Sequence, residues 1–271
     1  MSKLPLPTTL LMNITFYKYQ GTGNDFVLVD NRTEIFDRNR RDIVAEICHR
    51  RFGIGADGFI LLQNKEGYDF EMVYYNADGN ESTMCGNGGR CIVQFAYDLG
   101  VIGTTTRFLA VDGPHDAQVK DGLVHLHMID VNSVNDLGEE TFFLNTGSPH
   151  YVKQVSKIED FPIIEAGKKI RYSNAFAPGG TNVNFMEMQD NILFVRTYER
   201  GVEDETYSCG TGVTAAAIAA YKLGASVPVA IKTLGGNLQV SFSKSGENTY
   251  SNIYLIGPAK RVFEGQIGVR F

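Results

Sequence analysis

Asn76-Ala77-Asp78-Gly79, followed closely by Met84-Cys85-Gly86-Asn87-Gly88-Gly89-Arg90, crowds glycines, asparagines and one cysteine into a tight turn. The residues after it, Cys91 to Leu99, predict a helix, with Ile92, Phe95, Ala96 and Leu99 on one side and Gly100 as its stop. A thiol at a glycine-rich helix start lies among unpaired backbone N–H groups, at the positive end of the dipole. That position predicts a lowered thiol pKa. The same N–H groups suit a carboxylate.

The chain carries a second copy of this arrangement. Cys209-Gly210-Thr211-Gly212 opens a predicted helix through Val213, Ala216, Ile218, Ala220 and Leu223 to Gly224. Cys85 and Cys209 stand 124 positions apart, and so do Gly86 and Gly210, Gly88 and Gly212, Tyr97 and Tyr221, and Gly100 and Gly224. One Cys-Gly turn is a weak signal, since a lone cysteine is usually a small buried hydrophobe. Two turns in register over a whole helix predict an internal duplication.

Composition bounds the rest. A chain of 271 residues suits two domains of ordinary size. The net charge of −6, with no basic cluster, argues against nucleic acid or an anionic membrane as partner. Four cysteines (Cys48, Cys85, Cys91, Cys209) do not make a disulfide framework and fit a reducing cytoplasm. The first residues, through Leu4-Pro5-Leu6-Pro7, are too short and too broken an apolar run for a targeting signal, and read as an extension before Met12. No run is long enough to cross a membrane.

Taken in order, Asn13 to Lys18 and Phe26 to Val29 predict strands around the turn Gly21-Thr22-Gly23-Asn24-Asp25. Arg41 to Arg51 predicts a helix whose Cys48 and His49 are structural. The glycine loop Phe52 to Gly58 leads into strand Phe59 to Leu62, and Asp69 to Tyr75 leads into the Asn76 turn. Strands follow around Thr104–Val111, Ala117–Val119 and Leu123–Met128. His125 and His127 share one face of the last of these but lack a third ligand, so they read as structural. The second half repeats the plan: strands Phe142–Leu144 and Tyr151–Gln154, a short helix over Ile158–Ala166, and the turn Pro178 to Asn182 before strand Val183–Met188. Ile192–Tyr198 then runs into Glu199-Arg200-Gly201, and a closing strand spans Val262–Val269. The expected fold is α/β (α+β): two pseudo-symmetric domains, each of mainly antiparallel strands wrapped around a central helix. The domains are placed at residues 1–131, with 1–11 as the extension, and 132–259.

Matched thiols at two helix starts suit a redox pair, a metal site or an acid/base pair. Disulfide exchange favours a close Cys-x-x-Cys, which Cys85 and Cys91 do not form, and no further metal ligands cluster. A hydrolase needs one nucleophile rather than two in symmetry. A symmetric reaction fits best: one thiolate removes a proton from one face of a carbon and a thiol returns one on the other. The glycine turns would hold the carboxylate and stabilise the enolate-like charge. No dinucleotide loop, phosphate loop or pyridoxal context is present, so no cofactor is expected.

The blocks Gly21-Thr22-Gly23-Asn24-Asp25-Phe26, Asn76-Ala77-Asp78-Gly79, Met84 to Cys91, Tyr198-Glu199-Arg200-Gly201 and Cys209 to Gly212 resemble the diaminopimelate epimerase family. The resemblance covers Met12 to the C-terminus. It implies a metal-free, pyridoxal-independent epimerase that interconverts LL- and meso-diaminopimelate, on the route to lysine and peptidoglycan. It also implies a homodimer, with the extreme C-terminus (260–271) returning to the first domain. By the same resemblance Cys85 and Cys209 are the acid/base thiols, and Gly86, Asn87, Gly210 and Thr211 bind the reacting carboxylate. Asn24, Asn76, Asn182 and Arg200 read the distal amino-acid head, the guanidinium of Arg200 offering a planar fork. Glu199 faces the substrate amine and, with His150, tunes the thiols. Three departures touch the distal pocket: Ser148 where many members carry Asn, Gly58 where many carry Gln, and an Arg200-to-Cys209 loop one residue longer than in some. Proline and hydroxyproline racemases are the nearest rival, and Asn87 with Glu199-Arg200 disfavours them. A two-lobed amino-acid binder without turnover is the other alternative, and it would not need paired thiols.

Overall fold

A computed structural model describes residues 11–270; the expected N-terminal extension lies outside the described residues save for its last position. Among the described residues four α-helices punctuate a chain of strands: α1 (Arg41–Cys48), α2 (Gly86–Asp98), α3 (Ile163–Arg171) and α4 (Gly210–Lys222). Parallel neighbours in a sheet need a long crossover, and each helix supplies one. α1 joins Asn24–Asp30 to Gly58–Gln63, and α3 joins Pro149–Gln154 to Asn182–Gln189. α2 carries Glu71–Asn76 over to Thr105–Ala110, and α4 carries Ile192–Glu199 over to Val229–Thr233.

The duplication extends through the whole topology. One ladder runs Lys260–Arg270, Leu11–Gly21, Asn24–Asp30, Gly58–Gln63, Glu71–Asn76, Thr105–Ala110, Gly113–Lys120, Leu123–His127. The other runs Val134–Gly138, Thr141–Asn145, Pro149–Gln154, Asn182–Gln189, Ile192–Glu199, Val229–Thr233, Gly236–Lys244, Tyr250–Gly257. Both read antiparallel, antiparallel, parallel, antiparallel, parallel, antiparallel, antiparallel. The final strand, Lys260–Arg270, therefore fills in the first ladder the place that Val134–Gly138 fills in the second. Without it Leu11–Gly21 would present an open edge. The far strands of the two ladders, Leu123–His127 and Tyr250–Gly257, pair with each other and join the halves.

Each ladder wraps a buried helix. α2 buries Cys91, Ile92, Val93, Phe95 and Ala96, and α4 buries Val213 and the run Ala215 to Ala220. Both helices belong to one core with Leu126 and Leu255 from the joining strands. α1 and α3 cover the outer faces through smaller clusters, around Ile43, Val44 and Ile47 and around Ile163.

Three helix boundaries differ from the sequence expectation. α2 begins at Gly86, not Cys91: the glycine run is already helical, and close packing is what requires glycine there. A Cβ on Gly89 would stand 2.7 Å from Met84 Sδ and 2.9 Å from Leu126 Cδ2. α1 stops at Cys48, where the chain turns so sharply that a Cβ on Gly53 would overlap the Glu46 and Ile47 carbonyls. The segment 158–166 is not one helix. A 3₁₀ turn covers Ile158–Asp160, and α3 starts after Pro162, which cannot sit inside a helix.

Candidate active site

The first residues of α2 and α4 touch. A Cβ on Gly86 would lie 3.2 Å from Gly210 Cα, and one on Gly210 would lie 2.9 Å from Gly86 Cα, with Leu255 Cδ2 crowding both. Only glycine lets two helix starts approach this closely. Each helix is capped by its cysteine: Cys85 precedes α2 and Cys209 precedes α4, both in extended conformation. The Cys85 thiol accepts a hydrogen bond from the Gly88 N–H at 3.2 Å. The matched cysteine motifs are thus one site, with two unpaired helix N-termini converging on it.

The residues expected around the thiols separate into groups. Glu199 is half-buried, bonded by the Thr206 hydroxyl at 2.9 Å and within reach of the Cys209 thiol. Asn182 donates to Ser148 Oγ at 2.9 Å and accepts from the Arg200 N–H at 2.9 Å. The exposed Arg200 guanidinium donates to Ser148 Oγ at 3.3 Å and forms no ion pair among the described residues. Ser148, in the position of a family Asn, is therefore a working polar link between Asn182 and Arg200. Asn24 donates to Asp57 at 2.6 Å, and Asn76 is exposed at its strand end. The Asn87 side chain is not open to a ligand. It is buried between the halves, donating to the Ser208 carbonyl at 2.8 Å and to Asn24 Oδ1 at 3.3 Å. Only the backbone of Asn87 is left to face a carboxylate.

A family model described as diaminopimelate epimerase matches residues 16–133 and again 142–262. The chain belongs to the diaminopimelate epimerase family. The diaminopimelate epimerase of Flavobacterium psychrophilum is 50% identical over 255 residues, covering 93% of this chain and 99% of that one. That of Chlorobaculum tepidum is 42% identical, covering 91% and 98%. Solved structures extend the fold to distant proteins. A PhzF-family phenazine biosynthesis protein of Bacillus anthracis superposes with TM-score 0.76 at 12% identity, over 95% of this chain and 100% of that one. A hydroxyproline epimerase of Agrobacterium vitis gives 0.67 at 14%, over 96% and 93%.

Within this family fold, His150 sits in a chain of hydrogen bonds whose direction can be assigned. Asn184 Oδ1 accepts from the Thr197 hydroxyl at 2.9 Å, so its amide nitrogen donates to His150 Nδ1 at 3.0 Å. His150 Nε2 must then carry the proton and donate to Thr211 Oγ1 at 2.9 Å. That leaves the Thr211 hydroxyl hydrogen for Cys209 Sγ, 3.5 Å away. Burial drives the His150 pKa down to about 3, so the imidazole is a neutral orienting group. The sequence reading found His150 and Thr211 but not Asn184; its signal was the spacing Asn182-x-Asn184, which puts both on one strand face.

Arg90 is the other residue that the sequence left unassigned. It is fully buried, donating to the Gly86 carbonyl, Asn87 Oδ1 and the Thr22 hydroxyl at 3.0, 3.0 and 3.1 Å. It has no carboxylate partner among the described residues. Burial lowers its pKa to about 10, and the sulfurs of Cys91 and Cys85 oppose that shift.

The thiols themselves contradict the expected lowered pKa. Burial pushes Cys85 up to about 11, against the Gly88 N–H, which favours the thiolate; the Glu199 carboxylate adds to the rise. Burial and then Glu199 push Cys209 higher still. Desolvation of a charged sulfur outweighs the helix N-terminus here. Cys48 and Cys91 are buried and raised by the same cause, Cys48 to about 12, as inert core thiols. His125 and His127 gather no third ligand: among the described residues no group of three acidic, histidine or cysteine side chains could hold a metal.

Proposed function

We propose that this chain epimerises LL- and meso-diaminopimelate without a cofactor, by two-base proton exchange between Cys85 and Cys209. The observation that carries the reading is the contact of the two helix starts, each capped by a cysteine. A carboxylate at the converging N–H groups puts its α-carbon between the thiols. One sulfur, as thiolate, takes the α-proton and becomes a thiol. The C–H electron pair moves into the carboxylate, whose enolate-like charge the N–H groups and helix dipoles stabilise. The other thiol returns its own proton to the opposite face and is left as thiolate, so the two exchange roles each turnover.

Gly86, Asn87, Gly210 and Thr211 hold the reacting carboxylate through their backbone. Glu199 pairs with the ammonium, and His150 orients Thr211 toward Cys209. Arg200, free of ion pairs among the described residues, takes the distal carboxylate, with Asn182, Asn24 and Asn76 completing that head. The division into residues 1–131 with 260–271, and 132–259, follows the two ladders. A cytoplasmic homodimer serving lysine and peptidoglycan precursor synthesis completes the proposal.

The test is proton NMR of the protein with LL-diaminopimelate in deuterated water, beside an L-proline control. The expected result is loss of the α-proton signal together with appearance of the meso isomer, and no change in proline. Exchange of proline alone would move the protein to the racemases. Binding of diaminopimelate without exchange would overturn the two-thiol mechanism.

A further inference from the structure

Position 58 lies in the floor of the first half, between Phe26 on one neighbouring strand and Asn76 on the other. A side chain there has no room. A Cβ on Gly58 would stand 2.6 Å from Tyr74 Cε2 and 3.2 Å from the Tyr74 hydroxyl. Tyr74 therefore occupies the space that a residue at 58 would otherwise fill. It comes off the sheet face that carries the Cys85 turn. Tyr74 lies directly across the ladder from Ile60 and two residues along from Met72. Ile60 Cδ1 and Met72 Cε would each be 3.5 Å from a Cβ on Gly88, and Cys85 Sγ would be 3.1 Å from the same point.

The ring is fixed but the hydroxyl is not satisfied. Tyr74 is buried and meets Phe26 edge-on, with ring centroids 6.0 Å apart. A buried tyrosine normally finds a partner for its hydroxyl. Among the described residues this one has none, yet it is not sealed in: the one enclosed, unpaired side-chain polar atom is Ser208 Oγ. The Tyr74 oxygen therefore keeps some contact with solvent. Burial, and after it the Cys85 sulfur and the Asp57 and Glu199 carboxylates, keep the phenol neutral. The field of the Asp57 and Glu199 carboxylates disfavours an anion at this unused acceptor and favours a cation. Ile60 and Met72, on the same sheet face, pack at Gly88 beside Cys85 Sγ, and this sets that cation at the reacting carbon rather than at the distal pocket where the sequence placed Gly58.

We propose that the Tyr74 hydroxyl is a substrate-binding group that accepts a hydrogen bond from the ammonium on the reacting carbon, alongside Glu199. The assignment rests on the reading of the site as a diaminopimelate epimerase. It makes Gly58 and Tyr74 a single unit, in which the glycine exists to admit the phenol.

Tyr74→Phe removes the oxygen and keeps the ring. The contact is present in the ground state and the transition state alike, so its loss raises KM and leaves kcat nearly unchanged. For a hydrogen bond to a charged group the expected rise is about ten-fold or more, for both LL- and meso-diaminopimelate. Calorimetric titration of meso-diaminopimelate into Cys85→Ala protein, with and without Tyr74→Phe, should show the same weakening of Kd without turnover. It still decides if the substitution lowers the unfolding midpoint. Active wild-type enzyme with KM and Kd unchanged by Tyr74→Phe would overturn the assignment, and so would a loss confined to kcat. Wild-type protein that does not turn over diaminopimelate would instead overturn the functional reading, and the two failures are read from different samples.

Discussion

Gly86→Ala tests whether the contact of the two helix starts matters to the chemistry. Gly86 has an ordinary helical backbone, so alanine is conformationally allowed, and intrinsic propensity favours it by about 0.5–1 kcal/mol. The packing opposes it. The new methyl would sit 2.7 Å from Leu255 Cδ2 and 3.2 Å from Gly210 Cα. Carbon atoms settle at about 3.5–4.0 Å, so roughly 1 Å is missing on the leucine side and about half that on the glycine side. Leu255 is fully buried and cannot swing into solvent. Overpacking of this kind costs about 1–3 kcal/mol, which outweighs the propensity gain. The glycine side is backbone, so relief there moves the start of α4, and Cys209 with it. A misplacement of about 1 Å at a reacting group costs about a hundred-fold in rate, so a shift of about half that should cost about ten-fold.

The assay is α-proton exchange in deuterated water, with thermal unfolding beside it. Gly86→Ala should lose stability modestly and kcat strongly. Adding Leu255→Ala separates the two effects. It frees the leucine side, so the double variant should be more stable than the summed single losses predict. It leaves the Gly210 contact in place, so kcat should stay low. A Gly86→Ala protein with kcat within two-fold of wild type would refute the claim that helix contact sets the thiol geometry.

Three further outcomes are expected. Cys85→Ser and Cys209→Ser should each abolish epimerisation, and mild oxidation should link the two thiols reversibly; mass spectrometry that finds no such disulfide would count against their apposition. In the resting enzyme, Cys85 alkylation should keep rising about ten-fold per pH unit beyond pH 9, as a pKa near 11 requires, rather than levelling off near 8.5. His150 stays neutral in the fold down to about pH 3, whereas an unfolded histidine takes a proton near 6.5. The unfolded state therefore binds more protons below 6.5, and His150 should erode stability by up to about 1.4 kcal/mol per pH unit from there toward pH 3. A His150→Gln variant should show a shallower acid slope in denaturant melts.

Much of this was legible in the sequence because a duplication states its own register. The constant offset between the cysteine motifs predicted two matched halves. What stayed hidden depends on long-range packing. The helical state of Gly86 to Gly89 reflects what those glycines touch, since propensity alone reads them as a loop. Strand Val134–Gly138 buries only its valine and shows no alternation, so nothing local announced it. The part Arg90 plays was invisible because two of its partners, Thr22 and the Pro258 carbonyl, are remote in the chain. The raised thiol pKa values were missed for a related reason. A sequence shows the helix N-terminus but not how far packing withdraws each sulfur from water, Cys209 being buried and Cys85 half-buried.

Those raised values leave a physical question: the proposed mechanism needs a thiolate, yet the resting site holds two neutral thiols. The causes of the shift suggest how a substrate changes it. Burial comes first at both sulfurs, and the Glu199 carboxylate adds to both. With Glu199 in its proposed role, an incoming amino acid brings an ammonium to it, and that removes the added repulsion. At Cys85 the Gly88 N–H and the Arg90 charge already oppose burial, so less remains to be overcome there than at Cys209. Arg90 itself is the counterpart. A buried guanidinium without a carboxylate is held at a penalty of several kcal/mol, a state that a fold keeps more readily where an anion is due to form. The resting protein thus carries a surplus buried cation beside two protonated sulfurs. On the proposed mechanism, the charge that turns Cys85 into a base arrives with the molecule it deprotonates.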